Sequence, residues 1–399
     1  MAVVSKLLGF PSLTLAAVID TQSHLAAIAT ILLVNCAFGI VVWVLLYPML
    51  FSPLRQIPGP KASKYLSPAY RALIVKDKPA GDLFLELAKQ YPGEDLITLN
   101  SFGDQICIMN PQLLADLLVY NCYNFAKPKR ISSFLRHILG DGLIIVEGDQ
   151  HKFLRRNTMP AFHFRHIKEL YPMMWAKGET LVTALNQDMA ASRSSVVELN
   201  GWATKVTLDI IGIAGLGHKF DAVEKRKDAP ADTYEQLLEP DREKLIFAML
   251  SLAVGLPIET LRLYPTVPTT IRHAVHDTRI GGQFIPEGAD IIVSIWYINR
   301  SSEIWGPDAA EFRPERWIRG DGKPNQNGGA SSNYNFLTFL HGPRSCIGQG
   351  FAKTEMRCLL ATMVRSFKWT LAIDDGLVMP RGVITIKPEN GMYLNLRTL

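Results

Sequence analysis

Phe339-Leu340-His341-Gly342-Pro343-Arg344-Ser345-Cys346-Ile347-Gly348 is the stretch whose reading decides the fold. A lone cysteine in a core is usually an inert small hydrophobe. Here its neighbours argue otherwise. Gly342 and Pro343 shape a turn, and the apolar run IGQGFAKTEMRCLLATMV follows Cys346 with a helical period. A cysteine at a helix N-terminus faces backbone N–H groups and the positive end of the dipole, which stabilise its thiolate. Gly348 and Gly350 would let this helix approach a flat partner closely. Arg344 stands two residues from the sulfur, where it can pair with a carboxylate of that partner. An anionic sulfur suits an iron that activates oxygen, because its electron donation favours O–O cleavage.

Phe339, Gly342, Arg344, Cys346 and Gly348 occupy five specified places in ten residues, for which the chance expectation is about 1 in 10,000. They match the FxxGxRxCxG cysteine loop of the cytochrome P450 family, which this chain therefore resembles. The resemblance implies a haem b cofactor with Cys346 as the metal ligand and catalytic thiolate, and with Phe339, Arg344 and Gly348 around it.

The resemblance extends outward. Glu259-Thr260-Leu261-Arg262 resembles the family's ExxR helix, and Phe312-Arg313-Pro314-Glu315-Arg316-Trp317 the segment whose arginine joins it. Glu259, Arg262 and Arg316 are then expected to form a buried network that fixes structure rather than doing chemistry. Gly148-Asp149-Gln150-His151-Lys152-Phe153-Leu154-Arg155-Arg156 resembles the helix crossing near the haem edge. His151 stands where many members have tryptophan and can donate the same hydrogen bond. Arg155 and Arg272, the latter in TTIRHAVHDT with Asp277 holding the register, are the expected propionate contacts beside Arg344.

The 399 residues, 48% hydrophobic and 20% charged, can bury a large core. The expected class is mainly α with small β portions, a truncated cytochrome P450 fold carrying an N-terminal transmembrane helix. A formal charge of +5 with scattered basic residues gives no sign of a nucleic-acid partner. Five cysteines without paired spacing indicate neither a disulfide scaffold nor a zinc site.

Residues 25–47, LAAIATILLVNCAFGIVVWVLLY, carry no charge and match the roughly 20 residues a bilayer core requires. Only Lys6 is basic before them, whereas Arg55, Lys61, Lys64 and Arg71 follow. That bias leaves the bulk of the chain cytosolic. The expected organisation is a lead-in over 1–24, the span over 25–47, a proline-rich linker over 48–64 and the haem-thiolate domain over 65–399. Asparagine and proline at 110–111 start a short helix, and Gly281-Gly282 a tight turn between strands.

One expected part is missing. No A-G-x-[DE]-T pattern, the distal acid–alcohol pair of the family's long central helix, occurs anywhere in the chain. The stretch 241–256, DREKLIFAMLSLAVGL, runs straight into Pro257 and the ExxR helix, so an internal deletion of roughly a hundred residues near 256 is expected.

Two functions follow from the resemblance. One is a monooxygenase oxidising a lipophilic small molecule in secondary metabolism, anchored in the endoplasmic reticulum membrane with its catalytic part cytosolic. Its electrons would come from NADPH-cytochrome P450 reductase, since no Rossmann glycine fingerprint follows a strand here. The other is a truncated or mis-spliced haem-binding remnant without activity. Segments 121–142, 266–270 and 389–392 are expected to line the substrate pocket.

Overall fold

The computed structural model describes residues 24–42, 50–60, 79, 81–99, 104–224, 256–318, 325, 327–373, 378–382 and 385–399. Residues 1–23 of the lead-in expected over 1–24, residues 43–47 of the expected span, 48–49 and 61–64 of the expected linker, and the stretch 225–255 leading to the join lie outside the described residues.

The helices include α1 (His24–Val41), α2 (Asp82–Gln90), α3 (Lys129–Leu139), α4 (Gly148–Thr158), α5 (Phe164–Ser192), α6 (Leu199–Ile211), α7 (Leu256–Leu263), α8 (Ile295–Arg300) and α9 (Gln349–Ser366). Strands β1 (Leu96–Thr98), β2 (Gln105–Ile108), β3 (Phe125–Ala126), β4 (Val196–Glu198), β5 (Thr269–Ala274), β6 (Thr278–Ile280), β7 (Gln283–Ile285), β8 (Asp290–Ser294), β9 (Phe367–Leu371), β10 (Pro380–Arg381), β11 (Lys387–Pro388) and β12 (Tyr393–Thr398) make up the smaller β portion.

The chain is mainly helical with small sheets. A five-stranded sheet runs β1-β2-β8-β5-β3, with β2 parallel to β8 and the other pairs antiparallel. Its buried residues Ile97, Ile106, Ile108, Phe125, Ile291 and Val293 make one core. A second core is helical: Met174 and Leu185 of α5 and Val206 of α6 meet Leu360 and Met363 of α9. Gly178 brings α5 against α9, since a Cβ there would strike Thr362. The three-stranded sheet β4-β12-β9 adds Val197, Phe367, Leu394 and Leu396 to this core.

Local chemistry explains the turns. The β6–β7 hairpin turns on Gly281 and Gly282, both with positive φ that other residues adopt only with strain. Asp277 accepts from the Glu287 N–H at 2.8 Å and sets the next turn. Asn110 caps the short helix Pro111–Leu113 by accepting from Gln112 N–H.

Of the transmembrane helix expected over 25–47, only residues up to 42 are described. Helix α1 has 18 residues, and among the described residues no helix is long and apolar enough to cross a membrane. The side chains of α1 that are described, among them Ile31, Leu32, Leu33 and Phe38, are exposed and apolar.

Candidate haem-thiolate site

The cysteine loop connects the two cores. Its carbonyl at Phe339 accepts from Cys346 N–H at 2.8 Å, and Ser345 N–H donates to Gly342 O at 3.0 Å. Leu340 is held at φ 55, a left-handed conformation that costs a branched residue about 1 kcal/mol. Gly342 has φ 75, and a Cβ there would run into the Leu118 carbonyl, so only glycine fits. Cys346 is exposed, three residues ahead of the first residue of α9, while Cys358 on α9 is buried. Gly348 has open space where a Cβ would point, with Phe162 the nearest group at 3.9 Å. Gly350, by contrast, admits Ile167 of α5 at 3.0 Å from its would-be Cβ and so serves helix packing.

Around the loop the structure gathers cations. Arg155, from α4, donates to Ser345 O at 2.5 Å and to Ser345 Oγ at 3.2 Å. Arg344 donates to the Cys122 and Phe125 carbonyls and pairs with Glu147, and its guanidinium lies 5.0 Å from the Tyr123 ring centre. Arg272 is 5% exposed and donates to Thr270 Oγ1 at 2.8 Å and Ile271 O at 3.0 Å. Burial first, then repulsion from Arg344, brings its pKa down to about 10. His151 is buried, with Nδ1 3.4 Å from the Tyr123 hydroxyl. Desolvation, followed by Arg344 and Lys127, lowers its pKa and favours the neutral ring.

Against these cations stands one carboxylate. Glu147 accepts from Lys127 N–H at 3.0 Å and Lys127 Nζ at 3.1 Å through one oxygen and binds Arg344 through the other. Burial alone would raise its pKa; the Lys127 N–H and the charges of Lys127 and Arg344 outweigh that and lower it. Sequence reasoning did not single out Glu147 or Lys127. Glu147 directly precedes the helix it did quote, but its partner is 197 residues away along the chain.

The donor set fits a group carrying two carboxylates. Arg272 has only neutral oxygen partners, and the Nε atoms of Arg155 and Arg344 are buried without a hydrogen-bond partner among the described residues.

Behind the loop, Glu259, Arg262 and Arg316 come together. Arg262 Nε and Nη2 donate to Glu259 at 2.8 and 2.7 Å, and both side chains are fully buried. Arg262 also donates to the carbonyls of Asn299 and Ala309 at 2.6 and 2.7 Å. Trp317 Nε1 and Arg313 N–H donate to the same Glu259 carboxylate at 2.9 and 3.1 Å, and Arg316 Nε stands 3.4 Å from it. Thr338 Oγ1 donates to Leu261 O at 2.7 Å, tying this network to the segment that opens the cysteine loop.

Of the expected pocket segments, 121–142 presents exposed Ile131, Phe134 and Leu139 on or beside α3. Met392, from 389–392, is instead buried in the helical core, and its carbonyl accepts from Leu199 N–H. The C-terminal sheet needs that side chain to close its own interior.

A fold, a cysteine loop and a cation cluster of this kind define a haem-thiolate protein. The sequence model of the family described as Cytochrome P450 matches residues 73–253 and 258–395, and the chain belongs to that family. Its relatives include the cytochrome P450 monooxygenase sphH of Aspergillus fumigatus, 28% identical over 93% of this chain and 93% of that protein. The cytochrome P450 monooxygenase ptmK of Penicillium ochrochloron is 28% identical over 89% and 96%, and FUM15 of Gibberella moniliformis 26% over 86% and 87%. By family the chain is a monooxygenase whose cofactor is a haem-thiolate iron. Two features of these matches bear on the join: the family match breaks between 253 and 258, and the alignment to the Aspergillus relative runs over 508 positions, more than the 399 residues of this chain.

Proposed function

We propose that this chain is a haem-thiolate monooxygenase that oxidises a lipophilic small molecule in fungal secondary metabolism, with Cys346 as the axial ligand. The observation that carries the reading is the surplus of buried cations around an exposed Cys346, in a family whose cofactor brings two carboxylates. Thiolate-bound haem supplies oxygen activation, the sulfur's electron donation favouring O–O cleavage. The chain's own residues hold and orient it. Arg272 and the free Nε atoms of Arg155 and Arg344 would take its carboxylates, with His151 beside them. The loop turn at Leu340–Gly342 sets the sulfur, and the Glu259–Arg262–Arg316 network supports the turn from behind. The exposed apolar side chains of α3 offer a surface for a hydrophobic substrate.

The test is haem uptake by the full chain. A reduced carbon-monoxide band near about 450 nm is expected, and Cys346→Ala abolishes it. A band that persists in that variant overturns the assignment.

The reading extends to an anchor over 25–47 in the endoplasmic reticulum membrane, supported by the uncharged sequence and the exposed apolar side chains of α1, with NADPH-cytochrome P450 reductase as electron donor. Deleting residues 1–50 is expected to move the protein from the membrane fraction to the soluble one.

A second reading is supported by the break in the family match and the absence of an A-G-x-[DE]-T pattern. In it the chain is a truncated or mis-spliced haem-binding form, lacking the segment that would exclude water and deliver protons. Reductase-supported turnover decides between them. Substrate oxidation at about 1 per second or faster by the 399-residue form rules the second reading out. Negligible turnover, with an in-frame A-G-x-[DE]-T coding segment in the genomic DNA near the codon for Leu256, supports it.

A further inference from the structure

Cys346 is gripped from both sides of the preceding dipeptide by one short segment of chain. Ser345 is held by Arg155 of α4, and Arg344 is held by Glu147, the residue just before α4. Gly148 has φ 58 and nothing within 4 Å of its would-be Cβ, so glycine is needed there for the backbone alone. That turn sends Glu147 one way and the helix bearing His151 and Arg155 the other.

Glu147 is the joint of this arrangement. One carboxylate oxygen takes both the backbone N–H and the ammonium of Lys127, and the other takes Arg344. The carboxylate thus bridges the 122–127 segment, which borders the sheet core, to the cysteine loop, which leads into the helical core. Among the described residues no other acidic side chain pairs with Lys127 or Arg344. Without it, the Arg344 guanidinium, whose side chain is 7% exposed, would lie uncompensated beside Lys127 and Arg272. A buried cation without a counterion moves toward water. Arg344 is two residues from the sulfur, so that movement carries Cys346 with it.

The geometry points to Glu147 as a positioning residue: it sets Arg344, and through Arg344 the cysteine loop, before the cofactor arrives. It does so by neutralising Lys127 and Arg344 and leaving Arg272 and the free Nε atoms to the cofactor's carboxylates. The assignment rests on the haem-thiolate reading for its consequence but not for its geometry, so two measurements separate the two claims.

The first is amide hydrogen exchange of the haem-free full chain over residues 339–348. E147Q is expected to speed exchange there about tenfold, and E147D, which keeps the charge, by less than about threefold. The second is haem titration with the carbon-monoxide spectrum. E147Q is expected to bind haem about tenfold more weakly and to show a smaller share of the thiolate band, with E147D restoring both. Wild-type behaviour of E147Q in exchange overturns the proposal. So does tighter haem binding by E147Q, which would mean that Glu147 occupies the place of a propionate. Equal damage in E147D and E147Q overturns it as well, since the charge would then not be what acts. Should E147Q fail to fold, E147D decides by whether its exchange over 339–348 stays near wild type. A wild-type chain that takes up no haem would refute the haem-thiolate reading while leaving the exchange result to judge Glu147.

Discussion

Two arginine clusters lie on either side of the cysteine loop, and they differ in their anions. Behind the loop, Glu259 satisfies Arg262 through two hydrogen bonds and also accepts from Trp317 and Arg313, all in a site closed to water. Arg316 pairs with Asp308 at 2.7 Å, although its Nε, like those of Arg155 and Arg344, has no hydrogen-bond partner among the described residues. Around Cys346, by contrast, the carboxylate of Glu147 pairs with Lys127 and Arg344 alone, while Arg155 and Arg272 donate only to neutral oxygens. The same side chain therefore does two jobs. Where the protein supplies the anion, arginine fixes the fold; where it does not, arginine is set for a ligand.

The comparison breaks most visibly in the balanced cluster. Arg262→Met leaves Glu259 buried and short of its main partner, and is expected to cost about 3–5 kcal/mol of stability, read from the denaturant midpoint. A loss below about 1 kcal/mol would show that the network is not the support it looks like. The matching change in the other cluster should behave in the opposite sense. Arg272→Met removes a buried cation that has no protein anion, so haem-free stability is expected to change by less than about 1 kcal/mol. Haem affinity is expected to fall about tenfold, measured by transfer to a competing haem binder.

Glu355 on α9 sharpens the contrast, because it is an acid without a cation. Its Oε1 has no hydrogen-bond partner among the described residues, and burial pushes its pKa up to about 8. The folded value thus lies above the unfolded one, near about 4.3, so the fold accommodates the neutral acid. Between about pH 4.3 and about 8 the unfolded chain releases this proton while the folded protein keeps it, so stability falls progressively as pH rises through that window. Glu355→Gln is expected to flatten that slope and to add about 2 kcal/mol at pH 7; an unchanged slope would place the buried acid's proton elsewhere. The smallest effect is expected at Cys358, buried on α9 with its pKa raised to about 11 by burial. Cys358→Ala should cost about 1 kcal/mol and leave the carbon-monoxide band intact, in contrast to Cys346→Ala.

Features that depend on neighbours in the chain were readable before any coordinates. The turn at Gly281-Gly282, the cap at Asn110, the Glu259–Arg262 pair three residues apart and the loop from 339 to 348 are all short-range. Some local readings needed adjustment. Gly350 serves the contact with α5 and Met392 belongs to the core. In each case the pattern identified the residue type and the packing partner settled its use.

By itself the sequence determined the family, the candidate ligand Cys346 and the predominance of helix, because periodicity and a ten-residue motif are local properties of the chain. Only the tertiary structure decided which arginines are satisfied and which are left for a ligand. Glu147 and Arg344 are 197 residues apart and meet only when the sheet core and the helical core close on each other. Charge balance in a buried site is a sum over everything folded into it, and no local stretch of sequence contains that sum.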